Sequence, residues 1–134
     1  MAADEDLVAY LDPLIAETAG STLFEEPLPD DVPAGIGITH YGGEPADDCM
    51  GPSLTPADME TVEVNVTVRN PVKATARARA FAVHALLHNL GPVEINGRTY
   101  KHVASTGGEP RFLRRDNNDR WLYVCDYRVQ KDPG

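Results

Sequence analysis

Residues 61–71 read TVEVNVTVRNP, and this stretch decides the fold. Within Val62–Val68 four valines alternate with polar residues, which is the period-two pattern of a strand that buries one face. Asn70 is then a good N-cap, and Pro71 suits the first helical position, where its missing backbone donor costs nothing. The sequence therefore predicts a strand over Thr61–Arg69 that leads straight into a helix.

The predicted helix runs to about Leu90, because Gly91 suits the residue just past a helix end and Pro92 prevents continuation. The helix is rich in alanine, whose small side chain permits close packing on a sheet. Its packing stripe is predicted to consist of Ala78, Phe81, Ala82, Ala85 and Leu86.

The N-terminal segment predicts an amphipathic helix over Glu5–Thr18, since its leucines recur at helical spacing. Pro13 removes a backbone donor inside this helix and predicts a kink or two short pieces. Short strands are predicted over Ser21–Glu25 and Gly35–Tyr41.

Two hairpins are predicted in the C-terminal third. The first joins Val93–Ile95 to Arg98–Tyr100 through Asn96-Gly97, a pair that tolerates the positive φ angles of a tight turn. The second joins Arg111–Arg115 to Trp121–Val129 through residues 116–119. Hairpins supply antiparallel pairs, so we expect the sheet to be partly antiparallel.

This order of elements predicts one domain over residues 1–134 with an α/β (α+β) fold, a two-layer sandwich of two helices on a mixed β-sheet. Residues 27–56 hold six of the 11 prolines and five of the 11 glycines, which indicates a region dominated by loops. Within it, residues 42–58 are predicted to form a long acidic loop. A loop of this length in a small domain is usually functional, so it is a candidate contact arm.

The composition narrows the possible functions. The net charge of −9 opposes a classical nucleic-acid-binding module, because such a surface repels phosphates. The N-terminus is acidic where a signal peptide needs basic residues, and no apolar run is long enough to span a membrane. Cys49 and Cys125 lie far apart without paired spacing, so both are expected to be free thiols in a reducing cytoplasm.

Possible catalytic and metal-binding residues are few. His84 and His88 have the i, i+4 spacing of a helical metal pair, but no acidic residue nearby in the helix completes a ligand set. Cys125, next to Asp126, would make a thiol nucleophile with His40 or His102 only if the fold brought them together. The acidic residues of the loop lack the spacing of a calcium site. The sequence therefore predicts no catalytic residues, no metal and no cofactor.

Basic residues are concentrated in the second predicted hairpin, at Arg111, Arg114, Arg115 and Arg120. A basic ridge on an acidic molecule can pair with acidic surface on a second copy, in a head-to-tail arrangement. We therefore take these four arginines, with Asp47 and Asp48 in the acidic loop, as the candidate interface.

Residues 110–129 resemble the final hairpin of the minor capsid or tail terminator proteins of long-tailed bacteriophages. Residues 62–71 and the alanine-rich helix after them resemble the middle of the same family. The first helix, which contains residues 7–11 and ends at Gly20, is also similar. The resemblance spans nearly the whole chain. It consists of the same order of helices and strands, together with short stretches of similar sequence. The long loop over residues 42–58 is the main departure from the family pattern.

The resemblance implies a structural virion protein and no enzymatic activity. Members of this family form hexameric rings that end the tail tube at the head–tail junction and contact head-completion proteins. The expected partners are therefore further copies of the chain, the major tail tube protein and the head-completion (stopper) protein, with assembly in the host cytoplasm. DNA would pass through the ring, and a negatively charged subunit suits that passage because it does not retain phosphates.

Other readings remain open from the sequence alone. Another head–tail neck component, such as a head-closure ring protein, has the same structural character. Two alternatives belong to other functional classes. One is a small cytoplasmic hydrolase that uses His84, His88 and Cys125, and the other is a monomeric module that binds a ligand or peptide.

Overall fold

A computed structural model describes residues 3–12, 23–25, 33–44 and 60–131. These residues form two helices and seven strands of an α+β fold, as predicted. The elements are α1 (Ala3–Leu11), β1 (Leu23–Phe24), β2 (Gly35–Glu44), β3 (Glu60–Asn70), α2 (Lys73–Leu87), β4 (Val93–Ile95), β5 (Arg98–Ser105), β6 (Arg111–Arg115) and β7 (Trp121–Lys131).

The strands form one mixed sheet in the order β1-β2-β3-β7-β5-β4. The pairing of β1 with β2 is parallel, and every other pairing between these strands is antiparallel. On the side of β7 away from β3, β5 pairs with Tyr127–Lys131 and β6 pairs with Trp121–Val124. The strands β5 and β6 therefore follow one another along the same flank of β7.

The pair of β3 and β7 forms the centre of the sheet. Val62 stands opposite Val129 and Val68 opposite Tyr123, so the predicted alternation of β3 matches that of β7 across the pair. The four valines of β3 are buried, as are Tyr123, Cys125, Tyr127 and Val129 on the facing positions of β7. Burial of apolar surface at these positions stabilises the two strands against each other. The predicted strand over 61–69 is confirmed, one residue longer at each end.

Helix α2 packs on this face of the sheet with a different stripe from the one predicted. Its buried residues are Ala76, Ala80, Val83 and Leu87. The predicted stripe is wrong because Ala78, Ala82 and Ala85 are exposed, while Phe81 and Leu86 are only half-buried. Six alanines are spread around this helix, so the spacing of its apolar residues does not single out one face.

The beginning of α2 also differs from the prediction. Asn70 is the last residue of β3, and the helix begins at Lys73 after Val72, which has extended backbone angles. The Asn70 side chain still helps the chain turn, because its Oδ1 accepts a hydrogen bond from the Val72 amide at 2.9 Å. Pro71 thus lies in the turn before the helix.

The end of α2 falls at Leu87, earlier than the predicted Leu90. Asn89 has a positive φ angle of 60°, and Leu90 forms an isolated bridge with Val103 of β5. Gly91 has a φ of 121°, and a Cβ there would lie 2.5 Å from the Lys101 carbonyl oxygen. Glycine at 91 is therefore explained by close approach to β5, and not by a helix cap.

The first predicted hairpin is confirmed. Asn96 and Gly97 have φ angles of 52° and 80°, the positive values that a type I′ turn requires. This hairpin meets α1 through Asp6, whose buried carboxylate accepts hydrogen bonds from Asn96 Nδ2 at 2.9 Å and from the Tyr100 hydroxyl. Arg98 Nη1 lies 3.4 Å from the same carboxylate. Helix α1 is thus attached to the β4–β5 hairpin by polar contacts, in addition to the packing of its buried leucines.

The predicted first helix is confirmed over Glu5–Leu11, and both strands predicted in the N-terminal part are present. Strand β1 lies within the predicted 21–25, and the predicted strand over 35–41 continues to Glu44, with an irregularity between His40 and Gly42. The predicted loop over 42–58 is therefore wrong for residues 42–44, whose backbone pairs with β3. Residues 45–58 of that loop and 13–18 of the first predicted helix lie outside the described residues.

Candidate interaction surface

Strand β6 forms an exposed edge of the sheet. All five of its residues are exposed, including Phe112 at 46% and Leu113 at 50% of full accessibility. Within the described parts of the chain, β6 pairs only with β7, so its other edge has no strand beside it. Exposed edge strands are natural sites for contact with another chain.

Strand β6 presents side chains on both faces of the sheet, and its pairing with β7 is irregular between Phe112 and Arg114. Phe112 stands opposite Tyr123 and therefore points to the face that carries the helices. Arg114 stands opposite Leu122 and points to the other face. A bulge of this kind hinders simple strand addition, so side chains are the main groups that this edge offers to a partner.

Trp121 holds the helix-facing side of the edge together. Its ring centroid lies 5.5 Å from that of Phe112, and the guanidinium of Arg115 lies 4.8 Å from it. Lys73 Nζ, at the start of α2, lies 5.1 Å from the same ring on Trp121. Cation–π contacts of this kind each contribute about 0.5–1 kcal/mol at exposed sites. They fix two cations next to the half-buried ring of Trp121, against which the exposed Phe112 packs.

Asp116 organises the turn between β6 and β7. Its Oδ1 accepts hydrogen bonds from the backbone amides of Asn118 at 2.9 Å and Arg120 at 3.0 Å, and its Oδ2 accepts one from Arg120 Nε at 2.7 Å. Burial by itself would raise the pKa of the Asp116 carboxyl, but the hydrogen bonds from the Arg120 and Asn118 amides and from the Arg120 side chain outweigh it. The pKa of Asp116 therefore lies below its ordinary value, and the turn contains a carboxylate at neutral pH.

The four predicted arginines occupy different environments. Arg111 is exposed and lies 3.8 Å from Asp126, and Arg115 is exposed and pairs with Asp119 at 3.0 Å. Arg114 is exposed, and its side chain has no ion pair among the described residues. Arg120 is buried and bound to Asp116, so it supports the turn from within. Asp47 and Asp48, the acidic members of the predicted interface, lie outside the described residues.

The structure brings Cys125 close to His84, and not to His40 or His102. The Cys125 Sγ lies 4.0 Å from His84 Nδ1 and 3.4 Å from Ser105 Oγ. His84 Nδ1 also lies 3.0 Å from the Tyr127 hydroxyl, which can donate to it when the imidazole is neutral. Burial, followed by the neighbouring His88, lowers the pKa of His84 and so favours that neutral form. The imidazole is engaged by a tyrosine, and the thiol is buried beneath the sheet surface.

The two helical histidines stack on each other. The ring centroids of His84 and His88 are 4.9 Å apart with the planes 13° from parallel, and His88 Nδ1 accepts a hydrogen bond from the Ser105 amide at 3.1 Å. Among the described residues, no three His, Cys, Asp or Glu side chains are placed to hold a metal ion. Neither described helix is long and apolar enough to cross a membrane.

The other face of the sheet carries a shallow depression of about 360 Å³ beside β5 and β7. His102, Ser105, Thr106, Arg128 and Gln130 line it with polar groups. Arg128 is already within 3.8 Å of Glu63 on β3. The depression is therefore a polar part of the surface, and its charged residue already has an ion-pair partner.

One contact of the β6 edge was not foreseen from the sequence. Lys73 lies over the rings of Phe112 and Trp121, although it precedes β6 by about 40 positions in the chain. No pattern in the sequence indicates this contact. The fold alone places the start of α2 next to the last hairpin.

The fold is similar to that of a chain in the virion of a native gene transfer agent particle. The similarity has a TM-score of 0.57 at 15% sequence identity and covers 99% of this chain and 87% of the other. No curated protein sequence matches the chain. At this level of identity the likeness establishes the fold.

The sequence itself supplies the narrower assignment. A family model described as bacteriophage tail terminator protein matches residues 16–133, which is most of the chain. The chain belongs to the bacteriophage tail terminator family. It is a structural virion protein with a role in tail completion and is not an enzyme, which removes the hydrolase reading of Cys125 and the two histidines.

Proposed function

We propose that copies of this chain form a closed ring, a hexamer, on the end of the tail tube. The ring stops tube growth and presents a surface to the head-completion (stopper) protein at the head–tail junction, after assembly in the host cytoplasm. Membership of the tail terminator family is the observation that carries this proposal. The exposed β6 edge supports it, because a ring of identical subunits needs a patch that meets a different patch on the next copy.

The proposed contact includes Arg111, Arg114 and Arg115 on one copy and Asp47 and Asp48 on the next. Arg120 acts indirectly, because its bond to Asp116 fixes the hairpin that carries the other three. DNA passes through the ring without sequence-specific binding. An acidic subunit favours that passage, since each exposed cation in the channel would retain phosphates.

The test is polymerisation of purified tail tube protein with and without the chain, with tube lengths measured by electron microscopy. The wild-type chain is expected to cap tubes at a narrow length distribution. Leu113→Asp, on the exposed edge, is expected to abolish capping while the thermal unfolding midpoint stays near that of the wild type. Ala82→Asp, at an exposed position on α2, introduces the same charge and is the control that caps normally.

Tubes of equal length with and without the wild-type chain would refute the proposed function. Normal capping by Leu113→Asp would leave tail termination standing and remove β6 from the contact.

A further inference from the structure

The charges of this chain are separated along its length. Residues 1–68 contain 15 acidic residues and no lysine or arginine, whereas all 12 lysines and arginines and the other six acidic residues lie in residues 69–134. A net charge of −9 conceals this arrangement. The first half of the chain is strongly negative and the second half is positive.

The sheet converts this separation in sequence into a separation in space. Strands β1 and β2 and nearly all of β3 come from the acidic half and occupy one side of the sheet. Strands β4, β5, β6 and β7 come from the basic half and occupy the other side. The order β1-β2-β3-β7-β5-β4 keeps the strands of the two halves apart, with the boundary between β3 and β7, whereas helix α1 reaches the basic side, where Asp6 pairs with Arg98.

Ion pairs neutralise the charges along that boundary. Lys131 on β7 lies 3.2 Å from Glu60 on β3, and Arg128 lies 3.8 Å from Glu63. On the basic side Arg114 has no ion pair among the described residues, and on the acidic side Glu25 is exposed directly after the edge strand β1.

We infer that the ring interface joins the two outer edges: the basic β6 edge of one copy packs against the acidic β1–β2 edge of a second copy. This inference rests on the proposed ring. Opposite edges of opposite charge give a heterologous contact that repeats from copy to copy, and edges of like charge repel each other, so only the head-to-tail order forms. The contact also covers cations that would otherwise hold DNA phosphates in the channel.

The test compares charge reversals of equal size. Arg114→Glu reverses a charge at the β6 edge, and Lys101→Glu reverses an exposed charge on β5, about 30 Å away along β7 at roughly 3.3 Å per residue. Rings on tube ends are counted by electron microscopy at about 0.15 M salt, where screening reaches only ~8 Å. Arg114→Glu is expected to lower the number of rings roughly tenfold or more, and Lys101→Glu to leave it unchanged.

A mixing experiment tests the pairing of the edges directly. Glu25→Arg reverses the acidic edge, and alone it is also expected to prevent ring formation. An equimolar mixture of Arg114→Glu and Glu25→Arg chains restores opposite charges at every contact if the two variants alternate, as six positions allow. Rings containing both variants in equal amounts, counted by native mass spectrometry, are the expected result.

The outcomes separate the two proposals. A wild-type chain that forms no ring on tube ends overturns the proposed function. Wild-type rings, with Arg114→Glu rings as numerous as those of Lys101→Glu, overturn the edge pairing alone. Failure of the mixture, when each variant retains the wild-type circular dichroism spectrum, also overturns the edge pairing.

Discussion

The carboxylate of Asp116 is expected to control the stability of the β6–β7 hairpin. We consider Asp116→Asn, which keeps the shape of the side chain and removes its charge. Asparagine has only one acceptor oxygen, so when that oxygen keeps the bonds to the backbone amides, its Nδ2 group faces Arg120 Nε and the 2.7 Å hydrogen bond is lost. The nearby Arg69, whose Nε lies 3.7 Å from the same Asp116 oxygen, loses the carboxylate as well. Both guanidinium groups are buried, and the attraction to the Asp116 carboxylate offsets part of the free-energy cost of removing them from water. The substitution removes that attraction.

The expected loss follows from these contacts. A hydrogen bond to a charged group contributes roughly 1.5–3 kcal/mol, so Asp116→Asn should lower the free energy of unfolding by about 2–3 kcal/mol. For a chain of this size about 1 kcal/mol shifts the melting temperature by roughly 4 °C, which gives a decrease of about 8–12 °C. Differential scanning calorimetry at neutral pH measures both quantities.

Asp119→Asn is the matched control in the same turn. Asp119 is 85% exposed on its side chain, and its ion pair with Arg115 is a surface pair worth less than about 0.5 kcal/mol. Its φ of 59° is one that asparagine tolerates, so the backbone adds little cost. Equal melting temperatures for the two variants would refute the assignment of Asp116 as the organiser of the hairpin.

The effect of Asp116 should also depend on pH. Its pKa in the folded chain lies below the ordinary value of 3.8, so the folded state releases the proton more readily than the unfolded state. The stability it contributes is complete above about pH 4 and is lost as the pH falls through the folded pKa. The difference between wild type and Asp116→Asn should therefore be constant from pH 7 to pH 5 and shrink below pH 4. A difference that grows in acid would contradict this reasoning.

Two further predictions concern the interior. Asp6→Ala removes the buried acceptor shared by Asn96 and Tyr100 and should lower the free energy of unfolding by about 3 kcal/mol. Tyr100→Phe removes only one of these hydrogen bonds and should lower it by about 1–1.5 kcal/mol. Chemical denaturation measures both values, and equal losses would count against Asp6 as the shared acceptor. Because the pKa of His84 is lowered on folding, its contribution to stability is present above about pH 6.5 and is lost as the pH falls through the folded pKa. In His84→Gln the free energy of unfolding should therefore fall less steeply with decreasing pH just below pH 6.5 than in the wild type. Equal slopes for the two proteins would show that other groups cause the loss of stability.

The strands of the fold were predictable where their signals were local. The valine alternation of β3 and the Asn96-Gly97 turn each act over fewer than ten residues, and the structure confirms both. The ends of α2 were predicted less well, since Asn70 and Gly91 have the residue types of helix caps but serve the preceding strand and the approach to β5. Residue type indicates which conformations are possible, and the surrounding fold selects one of them.

The candidate interface was predictable only in part. The cluster of arginines in the last hairpin is visible in the sequence, but their burial is not, and the structure separates the buried Arg120 from the exposed Arg114. The role of Asp47 and Asp48 stays a prediction. The contact of Lys73 with Trp121 arises from residues nearly 50 positions apart, and no pattern in the chain relates them.

The sequence by itself determined the types of the elements, the turn of the first hairpin, the family of the chain and the separation of its charges, because each of these depends on neighbouring residues or on residue identity alone. Only the tertiary structure decided which face of the alanine-rich helix is buried, which arginines remain exposed and that the strands of the acidic and basic halves form opposite sides of one sheet. These features depend on contacts between distant residues, which are fixed when apolar surface from the whole chain is buried together.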